Sequence, residues 1–191
     1  MGWFKRFVCS LSLYLTVTAC CAFGTSAIAQ PTKSPISSEV TEINGYPFPQ
    51  KLASLSRFEK TDYHSAKWGF SVRYGDPQAW ADIYIYNGAR NLASGNARKE
   101  AASELEAALA EIAYSVSSGG YEDAKLIEKS ETNGFAKAHL TITQRQQARD
   151  SYVFITVHKM NLVKIRVTTS KKNPDQFADK LLTEYAKLLG F

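Results

Sequence analysis

Tyr152 to Phe191, YVFITVHKMNLVKIRVTTSKKNPDQFADKLLTEYAKLLGF, changes its hydrophobic period once, and that change decides the fold. Before Thr169 apolar residues recur at every second position: Val153, Ile155 and Val157, then Val163, Ile165 and Val167. A period of two is that of a β-strand with one covered face. The link around Lys159 and Met160 is short enough to fold the two runs into an antiparallel hairpin, and both sets of branched residues are expected on one apolar face. Beyond Asn173 the spacing lengthens to three and four, so that Phe177, Leu181, Leu182, Tyr185, Leu188 and Leu189 make the stripe of an amphipathic helix. Its start is marked by Asn173 as cap, Pro174 at the first helical position and Gln176 at the reciprocal position of a capping box. A hairpin followed by such a helix predicts helix packed on sheet.

Working towards the N-terminus, two more strands are expected over roughly Ala124–Lys129 and Ala136–Thr143. A first helix precedes them, with Asn96 as cap, an apolar stripe of Ala101, Leu105, Ala108, Leu109, Ile112 and Val116, and a stop at Gly119-Gly120. Phe70, Val72 and Tyr74 alternate up to the turn signal Gly75-Asp76-Pro77, and Ala81, Ile83 and Ile85 alternate against Asp82, Tyr84 and Tyr86, which predicts a second hairpin. A further strand lies near Arg57–His64. The fold class is α+β: a mostly antiparallel sheet with two packed helices.

Residues 30–50 contain Pro31, Pro35, Pro47 and Pro49 with several Ser and Thr, and read as a leader or tether to a single domain over 51–191. Residues 1–29 have the build of an export signal: Lys5 and Arg6, an apolar run from Phe7 to about Phe23, and small residues ending in Ala27-Ile28-Ala29. The run is broken by Ser10, Ser12, Thr16 and Thr18 and is shorter than the ~20 apolar residues of a membrane span. Cleavage after Ala29 is expected, giving a periplasmic or secreted protein. The alternative is a lipobox, Val17-Thr18-Ala19-Cys20, with lipidation at Cys20 and anchoring to the envelope membrane. All three cysteines lie in this segment, so cleavage after Ala29 leaves no disulfide and no thiol chemistry.

The 191-residue chain carries a formal charge of +5, two units of which belong to the signal. That balance and export both argue against nucleic acid. The distribution is uneven: from Lys137 to Lys172 stand Lys137, Arg145, Arg149, Lys159, Lys164, Arg166, Lys171 and Lys172 against Asp150 alone.

WGFSVRYGDPQAW, Trp68 to Trp80, is similar to the Gly-Phe-Ser, aromatic strand, turn and Trp that open PsbP-like domains, and Tyr152–Phe191 resembles their closing hairpin, helix and terminal Phe. The resemblance implies an α/β/α sandwich and a non-catalytic role in a membrane-side assembly, since that family includes extrinsic photosystem subunits and bacterial envelope proteins. It transfers no metal or partner-contact residue to this chain.

No catalytic or metal signature appears and no cofactor is implied. His64, His139 and His158 are never at a two-His helix spacing, and there is no G-x-S-x-G elbow. His139 alternates with Lys137 and Thr141 and is expected to point away from the core. Glu100, Glu104 and Glu111 share one helix face, expected to be solvated. Functional weight falls on Tyr84 and Tyr86, an aromatic pair opposite Ile83 and Ile85, and on Lys164 and Arg166, a basic pair opposite Val163 and Ile165. With His139 they are the candidate binding residues. The expected function is a non-enzymatic exported protein that binds a protein or anionic envelope component, with peripheral or lipid-anchored membrane association. The rivals are an envelope hydrolase assembled around His139 or His158, and a structural or stress lipoprotein.

Overall fold

A computed structural model describes residues 30–92 and 96–191. Residues 1–29, on which the expected export signal, the expected cleavage after Ala29 and the alternative lipidation at Cys20 fall, lie outside the described residues. Its frame is one antiparallel sheet of β1 (Thr32–Pro35), β4 (Lys51–Leu52), β5 (Leu55–Asp62), β6 (Phe70–Gly75), β7 (Ala79–Tyr86), β8 (Asp123–Thr132), β9 (Phe135–Gln144), β10 (Gln147–His158) and β11 (Asn161–Thr169). The order across it is β1-β5-β6-β7-β11-β10-β9-β8, with β4 beside β5, and a small hairpin of β2 (Glu42–Ile43) and β3 (Tyr46–Pro47) stands apart. Helix α1 (Ala97–Ser117) covers β10, β9 and β8 on one face. Helix α2 (Pro174–Leu189) packs on the other, over β10 and β11 and against β3 and β4. This is the α/β/α sandwich that the resemblance implies.

The expected hairpin at Lys159-Met160 forms, but its faces do not combine as expected. Both turn residues have positive φ, 49° and 59°, the tight two-residue connection whose twist suits a hairpin. It pairs His158 with Asn161, and therefore Phe154 with Ile165 and Val153 with Arg166. Odd positions of β10 thus share a face with even positions of β11. Tyr152 and Phe154 join Val163, Ile165 and Val167 under α2, while Val153, Ile155 and Leu162 lie under α1. A one-residue change of register exchanges the two faces of a strand, so turn length settles a phase that alternation alone leaves open.

On α2, Ala178, Leu181, Leu182, Tyr185 and Leu189 are buried as the stripe requires, whereas Leu188 is 46% exposed and Phe177 only half-buried at the margin. Asn96 and Asn173 occupy the cap positions without making side-chain cap hydrogen bonds, so the reciprocal box with Gln176 is not formed. Helix α1 ends with Ser118 at its cap and Gly119 at φ 80°.

Residues 30–50 are not a free leader. β1 pairs along β5, Tyr46 and Phe48 are buried against α2, and the Tyr46 hydroxyl donates to the His158 carbonyl at 2.8 Å. Arg57 gathers the segment by donating to the Ser37, Val40 and Phe48 carbonyls. Proline placed on the outermost strand and in short hairpins removes no needed ladder bond, which is how a proline-rich composition is compatible with ordered packing. The packed domain therefore begins well before residue 51.

Candidate functional site

Helix α1 lies over one side of the sheet and leaves the adjoining part of β7, β6 and β5 beneath its edge. There a groove of about 400 Å³ runs between Glu104 and Glu111 of α1, the floor residues Tyr84, Tyr86 and Lys164, and the β5–β6 loop carrying Tyr63 and Trp68. It meets a smaller hollow of about 160 Å³ that shares Tyr84, Glu111 and Lys164 and ends at Arg166. Cross-strand pairing makes the convergence: Tyr84 stands opposite Lys164, and Asp82 opposite Arg166. Four of the five candidate residues, Tyr84, Tyr86, Lys164 and Arg166, thus belong to one strip.

Their electrostatics differ from those of solvated strand positions. The Lys164 ammonium lies 5.2 Å and 5.3 Å from the ring centres of Tyr84 and Tyr86 and 3.6 Å from Glu111, and its side chain is 15% exposed. Such a cation is held by ring faces and one carboxylate. Arg166 donates to the Tyr121 hydroxyl at 2.7 Å. Asp82 is held by both arms of Arg73, at 2.6 Å and 2.9 Å, and that bond raises the guanidinium pKa. Tyr86 is buried and donates its hydroxyl to Glu104 at 2.5 Å, while Arg90 contacts the same carboxylate. Glu104 is therefore not part of a solvated row: only 8% of it is exposed, because the groove floor brings it both a donor and a cation.

The loop that closes the groove is tied down at both ends. The Asp62 carboxylate accepts the His64 amide at 2.8 Å, the bond that chiefly lowers its pKa, and the Asn87 and Gly88 amides donate to the carbonyls of Ala66 and Lys67. Trp68 stays 52% exposed with the Lys67 ammonium 4.6 Å from its ring. Trp68 stands in the β5–β6 loop outside any alternating run, and Tyr63, expected within the strand near Arg57–His64, lies just beyond the end of β5 at Asp62.

His139 is elsewhere. It lies on the α2 face, its ring stacked on Tyr152 at 4.3 Å and its Nε2 2.8 Å from Asp150. Only 13% of its side chain is exposed, so it is covered rather than solvated. Asp175 at the start of α2 approaches its Nδ1 to 3.7 Å and accepts the Tyr152 hydroxyl at 2.8 Å. His158 packs edge-on to Tyr46, and burial, then the Lys159 charge, lowers its pKa. Among the described residues no group of three or more His, Cys, Asp or Glu is placed to hold a metal ion, and no helix is long and apolar enough to cross a membrane.

Burial, reinforced by the bond to Glu104, pushes the Tyr86 hydroxyl well above the ordinary tyrosine range, and burial does the same for Tyr84. The neutral form is the one the fold favours, so this stabilisation is complete below the unfolded-chain value of about 10 and is lost as pH rises towards the folded value. Absorbance titration is expected to show these tyrosines ionising late, in step with alkaline unfolding, and Tyr86→Phe should reduce the amplitude of that step. An early ionisation step, complete with the fold intact, that disappears in Tyr86→Phe would contradict the burial of the pair.

The chain is similar to the solution structure of cyanobacterial PsbP (CyanoP) from Synechocystis sp. PCC 6803, at 14% sequence identity over 84% of this chain and 94% of that one, with a TM-score of 0.43. No protein-family model and no curated protein matches the chain.

Proposed function

We propose that this chain is a non-enzymatic exported envelope protein, a partner-binding or assembly accessory factor that docks a protein or anionic envelope component on the strip from Trp68 through Tyr84 and Lys164 to Arg166. The observation that carries the reading is the convergence of an aromatic pair and a basic pair from two neighbouring strands beside a half-exposed tryptophan. Aromatic and cationic side chains are the types enriched where surfaces recognise partners. The amino-terminal signal pattern supports export, with Gln30 as the first residue after cleavage.

A photo-crosslinking residue at position 68 in intact cells, followed by mass spectrometry, tests the reading. Adducts are expected from position 68 and not from position 188, whose Leu188 is exposed on the opposite face. Replacing Lys164 and Arg166 together by Gln should cut the yield several-fold and reduce its dependence on salt. Equal yields from both positions, or a yield unchanged in the double variant, would remove the strip from consideration.

A further inference from the structure

At the far end of this strip the sheet has a notch. β11 stops at Thr169, paired with Asp150, so the next position of β10, Arg149, has no neighbour on that side. The Arg149 side chain extends across the gap until its guanidinium is 5.3 Å from the Trp80 ring centre. The β9–β10 turn at Arg145-Gln146, with φ of 52° and 61°, forms the rim, and Gln144 and Gln147 face each other beneath it. The resulting cavity, about 360 Å³, is lined by Trp80, Gln144, Arg145, Gln147 and Arg149.

Its polar lining consists of two guanidiniums and two carboxamides, with no carboxylate. Along the floor and rim of the groove the cations have a counter-charge or a ring hydroxyl: Lys164 has Glu111, Arg73 has Asp82, Arg90 has Glu104 and Glu100, and Arg166 has Tyr121, while Lys67 lies over the Trp68 ring. Among the described residues Arg145 and Arg149 have no ion pair, and Arg149 is steadied by the Gln147 side-chain carboxamide oxygen, Oε1, which accepts from its guanidinium at 2.8 Å, and by the Trp80 ring. A carboxylate at the same turn, Glu122, accepts the Gln146 backbone amide at 3.0 Å and 3.1 Å and pairs with neither guanidinium. Two neighbouring guanidiniums without an internal anion repel each other and leave fork-shaped donors unfilled. A tetrahedral oxyanion offers acceptors in several directions at once, which suits donors approaching from two guanidiniums and two carboxamides better than a flat carboxylate does.

We propose that this notch is a phosphate-binding site, with Arg145 and Arg149 taking the phosphate oxygens, Gln144 and Gln147 completing the donor set, and Trp80 as the wall against which the rest of the ligand lies. The site deepens the reading of the strip as a docking surface by naming the chemistry of its basic end, and it rests on that reading.

The test uses the exported protein and two probes. One is inorganic phosphate, titrated at constant ionic strength against chloride. The other is a vesicle of phosphatidylglycerol, compared with one of phosphatidylcholine. The readout is the 1H–15N spectrum, followed at the Trp80 indole and the amides of residues 144–149. Saturable shifts confined to those signals are expected, and Arg145→Gln with Arg149→Gln should weaken binding at least tenfold while the thermal midpoint stays unchanged. A response to phosphate alone assigns a soluble phosphate ligand, and a response to the anionic vesicle alone assigns a lipid headgroup; either supports the site. No response to either probe, or one that survives in the double variant, overturns it. Crosslinking from position 68 that persists in the double variant would show that the aromatic groove binds without the notch, so failure of the site and failure of the strip are separately visible.

Discussion

Gly69→Ala is expected to destabilise the domain by about 2 to 5 kcal/mol. Gly69 stands at φ 60°, in the left-handed region where a Cβ costs roughly 1–2 kcal/mol. More serious is the space. A Cβ there would lie 1.8 Å from the Ile85 carbonyl oxygen, 2.8 Å from its carbon and 3.0 Å from the Tyr86 Cα. All three atoms are backbone of a strand held on both sides, by β6 and β11, so nothing can swing aside; relieving such overpacking typically costs a further ~1–3 kcal/mol. The relief has to come from the β5–β6 loop, which carries Trp68 and Tyr63 away from Tyr84 and should also lower crosslinking from position 68. Gly119→Ala is the control: its φ is 80° but nothing lies within 4 Å, so only the conformational cost of about 1–2 kcal/mol is expected. Equal effects of the two substitutions in urea denaturation would show that the close approach to β7 is not what requires glycine at 69.

The contrast between these glycines bears on what a sequence reveals. A helix-stop glycine is legible, because Gly119-Gly120 follows a run of helical period. Gly69 precedes a strand and follows a loop, and its constraint comes from a strand sixteen positions further along the chain. Turns behave likewise. Asn133-Gly134 sits at φ 49° and 75° and joins β8 to β9, with a composition that suits a two-residue hairpin turn. Lys159-Met160 adopts the same geometry with neither residue favouring it, so the hairpin is legible from alternation and its phase is not.

The candidate site divides along the same line. Tyr84, Tyr86, Lys164 and Arg166 are visible because each breaks the polar side of a strand with a ring or a charge. That they meet depends on β7 lying beside β11, two strands separated by α1, β8, β9 and β10 in the chain. Glu104 looks like a solvated helix residue because its burial is imposed by Tyr86 and Arg90, neither of which is on α1. Arg145 and Arg149 are visible as members of a basic stretch, whereas their lack of counter-ions is a property of neighbours that only folding supplies. Residues 46–48 were hidden for a different reason: their prolines suggest a tether, and the large buried side chains between them, Tyr46 and Phe48, are too few to set a period.

Helix α2 supplies the other large effect, Leu181→Ala, which is expected to lower stability by about 2 to 5 kcal/mol, the range for truncating a fully buried leucine whose surroundings collapse only in part. Leu181 is 0% exposed and packs with Leu182, Tyr185 and the α2-side residues of the sheet, among them Tyr152, Phe154 and Ile165. Leu188→Ala, on the same helix but 46% exposed, removes the same atoms at a position where water already touches much of the side chain, and a change within about 0.5 kcal/mol is expected. The pair holds residue type, helix propensity and unfolded-chain effects constant, so the difference between them measures the burial of α2 on the sheet. The two cores are separated by the sheet itself, since Leu181 belongs with the α2-side residues while the strip of Tyr84, Lys164 and Arg166 lies on the α1 side. Below its lowered midpoint the Leu181→Ala protein should therefore crosslink from position 68 as the unaltered chain does, unlike Gly69→Ala, which is expected to lose both stability and the strip. Equal denaturation midpoints for the Leu181 and Leu188 variants would mean that α2 does not cover the sheet as described. A Leu181 variant that is folded but fails to crosslink would mean that the two faces are not independent.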